Sequence, residues 1–360
     1  MEHFFCKTKI IVGSQAEAQL QSFSIRRLFL VTDPYFAQSG DADRIAQLSG
    51  AKETEIFSDI TPDPSAQLAA RGAAAVKSFA PDAVVALGGG SAMDCAKAMV
   101  YFSGLTPKLI AIPTTSGSGS EVTDFAILTH EGVKHPLVDD SLRPDAAILD
   151  DSLLQNLPPK LIADTGFDLL SHALEAWAAT GAGAFSDALA SDAFCTAYSL
   201  LPLSFAGGRN VRLRIHTAST MAGLAFSLAG LGICHALSHA LGGEFHIPHG
   251  RINAILLPAV IDQNAPAAGS RYASLARRAG FSTGSDAVAI RALKNALIRL
   301  RRSLQMPDNL AQAGVSPTIL RQKTDAIVTA TLADPCCATN PAPVTDAMVR
   351  RILSDVMGHG

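Results

Sequence analysis

The 360-residue sequence contains no CxxC pair, and its six cysteines (Cys6, Cys95, Cys195, Cys234, Cys336, Cys337) lack the spacing of a secreted disulfide framework. A reducing compartment is therefore expected, and a structural zinc cluster is disfavoured. There is no block of like charge either: 29 Lys and Arg stand against 32 Asp and Glu, a net charge of −3, so a nucleic-acid partner is not expected. The N-terminus "MEHFFCKTKIIVG" has no basic-then-apolar leader, which points to a cytoplasmic protein. Tandem repeats and low-complexity tracts are absent. Between Ile215 and Gly243 there is no Asp, Glu, Lys or Arg, a stretch long enough to suggest a membrane helix. However, His216, His235 and His239 interrupt it together with several Ser, Thr and Gly residues, and ionisable groups within a bilayer are costly. A buried helix pair beside a polar site is the expected outcome, with no membrane partner.

What is present divides near the middle. Before Pro158 the apolar runs are short and rich in β-branched residues: "KIIVG", "RRLFLVTD", "TEIFSDI", "DAVVALGGGS", "KLIAIPTT", "TDFAILTH" and "AAILD". Helix-like segments such as "PSAQLAARGAAAVKSFA" and "SAMDCAKAMVYFSG" separate several of them, the alternation of a parallel sheet covered by helices. "FAILTHEGVKHPLVDD" instead reads as a hairpin turning at Glu131 and Gly132. After "NLPPK" the apolar spacing becomes helical, as in "IADTGFDLLSHALEAWAAT" and "DAVAIRALKNALIRLRRSL". The expectation is an α/β domain over 1–157, a parallel sheet covered by helices, followed by an all-α domain over 158–360.

"AVVALGGGSAMDCAKAM" runs from a buried-strand pattern through Gly88-Gly89-Gly90-Ser91 into a helix. Glycines let the backbone approach an oxyanion, and the free N–H groups of a helix start favour phosphate. Alone this is equally a tight strand-to-helix turn, because it matches neither GxGxxG nor a P-loop. "IPTTSGSGSEVT" follows a second strand and offers Thr114, Thr115, Ser116, Ser118 and Ser120, hydroxyls suited to phosphate and ribose oxygens. "LFLVTDP" ends a third strand on Asp33, where a carboxylate would accept from a ribose hydroxyl and repel a 2′-phosphate, or would only form a turn. Together these elements suggest a dinucleotide, NAD rather than NADP.

The second half carries candidate metal ligands. Asp168 and His172 in "TGFDLLSHALEAW" are four apart, hence on one helix face, an arrangement that a surface hydrogen bond would also explain. "CHALSHALGGEFHIPHG" holds four of the ten histidines, with His235 and His239 again four apart and His249 after Pro248, expected on a loop. One carboxylate with three imidazoles suits Fe²⁺ or Zn²⁺.

"GGGSAMDCAKA", "IPTTSGSGSEVT", "GFDLLSHALEAW" and "CHALSHALGGEFHIPHG" together resemble, in order and spacing, the signatures of the iron-containing (group III) alcohol dehydrogenases, over nearly the whole chain. "FSDITPDPS", "GGGSAMD", "HALEAW" and "FHIPHG" further resemble the branch found in propanediol-utilising bacterial microcompartments, with the ethanolamine-pathway branch a close alternative. The resemblance implies Asp168, His172, His235 and His249 as metal ligands and His239 as a proton-relay group lining the site. It implies Gly89, Gly90, Ser91 and Asp94 at the cofactor pyrophosphate, Thr114, Thr115 and Ser118 in the hydroxyl loop, and Asp33 at the adenosine ribose. Lys134 matches the basic residue of the hairpin, and Phe226 an aromatic near the nicotinamide. For Asp94, Lys134 and Phe226 a helix cap, a solvated charge and a core side chain remain the competing explanations. His246 has no family role and reads as structural.

The pattern is departed from at Ser118, usually threonine; at Ala240, often proline; at Arg251, where apolar residues are commoner; and at Ala342, often arginine. The implied activity is NAD-dependent, iron-dependent interconversion of a short-chain aldehyde and primary alcohol (propionaldehyde and 1-propanol, or acetaldehyde and ethanol), run toward the alcohol to regenerate NAD⁺. Zinc is the alternative metal, a homodimer the expected assembly and a microcompartment shell protein the expected partner. Competing readings are a polyol or hydroxy-acid dehydrogenase of the same family and a metal-binding structural or shell-adaptor protein whose catalysis has lapsed.

Overall fold

The computed structural model describes residues 4–130 and 133–358. The chain divides into two compact units. One comprises Phe5–Leu157 with Arg212–Gly223; the other comprises Phe4, Pro158–Val211 and the residues from Leu224 onward.

The first unit is built on a parallel sheet of β1 (Lys9–Val12), β2 (Arg27–Thr32), β3 (Glu53–Phe57), β4 (Ala83–Gly88), β5 (Lys108–Pro113) and β8 (Ala146–Leu149). Their spatial order is β1-β8-β5-β4-β2-β3. Successive side chains of a strand face opposite ways. Phe29, Val31, Val84 and Ala86 accordingly join one buried cluster with Leu68, Met93 and Met99, whereas Leu28, Leu30, Val85 and Leu87 join another with Leu20, Ile45 and Ile148. Apolar cover on both faces explains why these strands read as continuous apolar runs rather than alternating ones. A separate antiparallel pair, β6 (Phe125–His130) and β7 (Val133–Val138), forms the expected hairpin. Its turn at Glu131 and Gly132 lies outside the described residues.

The chain leaves β2 for β3 on one side and returns to β4 on the other, so the order reverses between β2 and β4. Open α/β sheets bind ligands at the carboxyl ends of strands flanking such a reversal. Register aligns three loops there: Thr32 pairs with Leu87 and Gly88 with Pro113, which puts Asp33, the Gly88 turn and Thr114 in one row.

The second unit is helical. The expected Pro159–Ala178, Ala184–Phe205, Asp286–Ser303 and Asp346–Met357 are joined by Ile233–Phe245, His249–Arg278 and Pro317–Ala333. His249, expected on a loop, is the first residue of its helix, with Pro248 as the N-cap. No single helix among the described residues is long and apolar enough to cross a membrane. The charge-free stretch lies mostly within the helices Arg212–Ala229 and Ile233–Phe245.

Candidate active site

In the α/β unit the glycine turn is a gap left in packed structure. Gly88 has φ +151° and precedes Gly89, the N-cap of helix Gly90–Ser103, whose first turn holds Ser91. A Cβ at Gly89 would sit 3.2 Å from Thr115 Oγ1, and one at Gly90 would sit 3.1 Å from Ser118. The two loops read separately from the sequence therefore lie against each other, with helix N–H groups and hydroxyls converging, the donor set that suits a pyrophosphate. Thr114 N–H donates to Gly88 O at 2.9 Å, which ties the loops together. Asp33 caps the helix Pro34–Gln38 through Oδ1, accepting from Tyr35 and Phe36 N–H, while Oδ2 faces Gly88.

Two predicted residues are used differently from the rest. Asp94 does not cap its helix: it accepts from Ser120 Oγ at 2.6 Å and from Ile127 N–H at 3.0 Å, bracing the hydroxyl loop from below. Lys134 pairs with Asp63 at 2.7 Å. Lys97 was not singled out from the sequence, although it stands one turn after Asp94 in an apolar helix. It is 1% exposed and donates to Ser120 Oγ, Thr123 Oγ1 and the carbonyls of Thr123 and Phe125. Burial lowers its ammonium to about 8 against the opposing pull of Asp94, Glu121 and Asp124.

The helical unit gathers the predicted ligands around one carboxylate oxygen. Asp168 Oδ1 lies 3.6 Å from His249 Nε2, 3.8 Å from His235 Nε2 and 3.9 Å from His172 Nδ1. Asp168, His235 and His249 form the tightest set, with donor atoms within 4.8 Å of one another. His172 stands beside them, stacked between His235 (4.4 Å between centroids) and Phe226 (4.5 Å). Gly250 makes the approach possible, since a Cβ there would fall 1.8 Å from Asp164 O and 3.1 Å from Asp168 Cβ. Arg251, unusual for the resembled pattern, locks the same contact by donating to both Asp164 oxygens at 3.0 and 2.7 Å.

The buried partners of this shell were not read from the sequence. Glu175 accepts His235 Nδ1–H at 2.6 Å and also takes the N–H groups of Gly232 and Cys234, so it caps the helix that presents His235 and fixes the imidazole. Asp168, His172 and Glu175 share one helix face at i, i+4 and i+7, a signal available in the sequence. Asn253 donates to Asp168 Oδ1 at 3.0 Å and to Ser171 Oγ at 3.0 Å. With Nδ1 held by Glu175, His235 Nε2 is buried and has no hydrogen-bond partner among the described residues.

Such an atom beside a carboxylate fits a cation. Burial would raise the Asp168 carboxyl, but His172, His235 and His249 more than offset it and hold the group far below the ordinary carboxylate range. Burial likewise opposes charge on His235, yet Asp168 and Glu175 push its imidazole up to about 9. The cluster favours positive charge, and three imidazoles with one carboxylate match Fe²⁺ or Zn²⁺.

His239 stands outside the tightest set. Its ring stacks on His249 with centroids 5.1 Å apart, and Nδ1 meets Asp334 Oδ2 at 2.8 Å, leaving Nε2 available for proton transfer. Asp334 was another residue missed in the sequence, because 95 positions separate it from His239. His246 has φ 53° and ends the helix Ile233–Phe245, its N–H bonding Gly242 O, a structural place as expected.

Two family profiles match the chain: "Iron-containing alcohol dehydrogenase" over residues 7–151, and "Fe-containing alcohol dehydrogenase family, C-terminal" over residues 162–357. The 1-propanol dehydrogenase PduQ of Salmonella typhimurium is 40% identical over 370 residues, covering 99% of this chain and 100% of that protein. Among solved structures, the iron-containing alcohol dehydrogenase of Thermococcus thioreducens is 33% identical with a TM-score of 0.90, covering 98% of this chain and 99% of that one. The sulfoacetaldehyde reductase of Bifidobacterium kashiwanohense, solved in complex with NAD⁺, is 28% identical with a TM-score of 0.88, covering 99% of this chain and 98% of that one.

Proposed function

The chain belongs to the iron-containing alcohol dehydrogenase family, and on that premise we propose that it is an iron- and NAD(H)-dependent enzyme interconverting a short-chain aldehyde and its primary alcohol. The substrate pair is propionaldehyde and 1-propanol or acetaldehyde and ethanol, with the alcohol as the physiological product. The observation that carries the reading is the Asp168 centre, where the unpartnered, buried Nε2 of His235 lies beside Asp168 and is oriented by Glu175.

When bound, iron supplies the Lewis acidity that polarises a carbonyl, and nicotinamide supplies the hydride. The chain's own residues do the rest. Asp168, His172, His235 and His249 hold the cation; Glu175 and Asn253 keep its ligands in register. Gly89, Gly90 and Ser91, with Thr114, Thr115 and Ser118, hold the pyrophosphate, and Asp33 accepts from the adenosine ribose. His239, with Nδ1 committed to Asp334, holds or delivers a proton at Nε2. Phe226 packs on His172 and shields that imidazole from water. By the sequence resemblance the proposal extends to a homodimer carried with a shell protein in a microcompartment.

The test is anaerobic oxidation of NADH by the Fe²⁺-loaded protein with propionaldehyde and acetaldehyde. Turnover that falls in air and returns with Fe²⁺ and reductant supports the reading. No oxidation with either aldehyde would sink it, and activity indifferent to air and to added iron would assign the site to zinc.

A further inference from the structure

Next to the Asp168 centre lies a second group of donors that the proposed reaction does not need as ligands. A ring nitrogen of His239, a carboxylate oxygen of Asp334 and Sγ of Cys336 lie within 4.8 Å of one another, all three partly buried. A single ion bonded at about 2.0–2.3 Å spans such separations, and one nitrogen, one oxygen and one sulfur donor suit a borderline-soft cation with an open position. The turn is held ready: Asp334 caps the short helix Pro335–Thr339 by accepting from Cys336 N–H at 2.8 Å, which fixes the carboxylate and the thiol-bearing residue together. The neighbouring cysteine is not equivalent, because Cys337 Sγ is committed to Thr331 O at 3.1 Å. The pair "CC" is thus resolved into one thiol at the donor cluster and one in a structural contact.

We infer that His239, Asp334 and Cys336 form a second, thiophilic divalent-cation site, distinct from the iron centre, whose occupation by zinc withdraws the His239 imidazole from proton transfer. Binding there through Nδ1 replaces the His239–Asp334 hydrogen bond: the Nδ1 proton moves to Nε2, which then accepts no further proton, and the Cys336 thiol gives up its proton to solvent as sulfur joins the metal. The site is an inhibitory one: it is built from the residue that completes the proton path and from that residue's own orienting carboxylate. Its existence does not rest on the proposed activity; only its effect on turnover does.

Cadmium is the probe, because none of the proposed iron ligands carries sulfur and the Cys234 thiol nearby is fully buried, facing Asn253. In protein already loaded with Fe²⁺, one equivalent of Cd²⁺ should produce a thiolate-to-cadmium charge-transfer absorption without loss of iron. Cys336→Ser should abolish that band, Cys337→Ser should retain it, and Asp334→Asn should weaken Cd²⁺ binding by at least the roughly 10–100-fold that even an outer partner costs a metal site. The same Cys336→Ser change should raise the zinc concentration for half-inhibition of aldehyde reduction at least about tenfold. No band, a band persisting in Cys336→Ser, or one lost in Cys337→Ser overturns the inference. If the enzyme shows no turnover at all, the functional reading fails while the cadmium band still decides the site. Should Cys336→Ser not fold, undiminished Cd²⁺ affinity in Asp334→Asn is equally fatal.

Discussion

The two units make binding sites in opposite ways. At the carboxyl edge of the sheet the candidate cofactor site is mostly backbone and hydroxyl, and its essential feature is missing atoms: a Cβ at Gly89 or Gly90 would press on Thr115 or Ser118. In the helical unit the candidate metal site is made of three imidazoles and one carboxylate, and two of these ligands are held by further buried groups, Glu175 behind His235 and Asn253 behind Asp168. The first kind is broken by adding atoms and the second by deleting them. Gly250 is the exception that joins the two logics, since the ligand cluster itself depends on one absent Cβ between the segments that carry Asp168 and His249.

The deletion arm has the largest expected effect. His249→Ala removes one of the three tightest donors, and metal assistance is worth several kcal/mol. Bound iron should fall to a small fraction of one equivalent and aldehyde reduction by about 10³-fold or more, with the circular-dichroism spectrum kept. Undiminished iron in that variant would remove His249 from the shell. A step smaller is Glu175→Gln, which preserves shape but weakens the acceptor for His235 Nδ1–H. Iron affinity should drop by roughly 10–100-fold, the range for an outer partner, and excess Fe²⁺ should restore most of the activity. Full rescue failing at saturating iron would mean that Glu175 acts mainly by holding the helix that begins at Ile233.

The same contrast decides how much of each site is legible in the amino-acid sequence. The parallel sheet is legible because buried strands must be apolar on both faces, and "AVVALGGGS" or "LFLVTDP" leaves little else for the chain to form. Asp168 and His172 are legible because four-residue spacing is a local property of helices. Glu175 was readable by extending that spacing to seven, yet an acidic residue near a helix end has many solvated explanations. Asn253 and Asp334 were not readable, since they meet Asp168 and His239 across 85 and 95 positions through packing alone. His249 was expected on a loop because Pro248 and Gly250 read as breakers. In the structure the proline is an N-cap and the glycine a close-packing site. Asp94 was expected at the pyrophosphate turn, but its carboxylate braces Ser120 and Ile127. A helix face records which way a side chain points, not what will be packed beyond it.

The addition arm is tested by Gly90→Val. The new methyls would push Ser118 and crowd the turn, so the KM for NADH should rise roughly tenfold, about 1.4 kcal/mol of cofactor binding, with the KM for aldehyde little moved. Equal changes in both would report a general disturbance of the fold. Asp33→Gly belongs to the same arm as its one charged element. Removing the carboxylate should let NADPH serve as donor, and an unaltered preference for NADH would place Asp33 away from the ribose.

The smallest effect on catalysis and the sharpest separation of the units is expected at His216. This residue is 1% exposed in the α/β unit, and its Nδ1 meets Ser116 Oγ at 3.0 Å, behind the hydroxyl loop. Burial lowers its imidazole to about 4, although the Pro113 carbonyl and the Asp150 and Asp151 carboxylates pull the other way. In the unfolded chain the group titrates near the ordinary value of about 6.5, so between the two values the unfolded state binds more protons than the folded one. Stability therefore rises with pH across that window and is lost as pH falls from about 6.5 toward about 4. Between pH 7 and pH 5 the loss from this one group should be roughly 2 kcal/mol. His216→Gln, which can keep a hydrogen bond to Ser116 without titrating, should flatten that limb in urea titrations while leaving iron content and neutral-pH turnover little changed. In the helical unit the buried imidazole of His235 behaves the opposite way, because the Asp168 and Glu175 carboxylates favour its charged form. If His216→Gln leaves the acid limb as steep as before, the acid sensitivity of the chain lies with those carboxylates and not with the α/β unit.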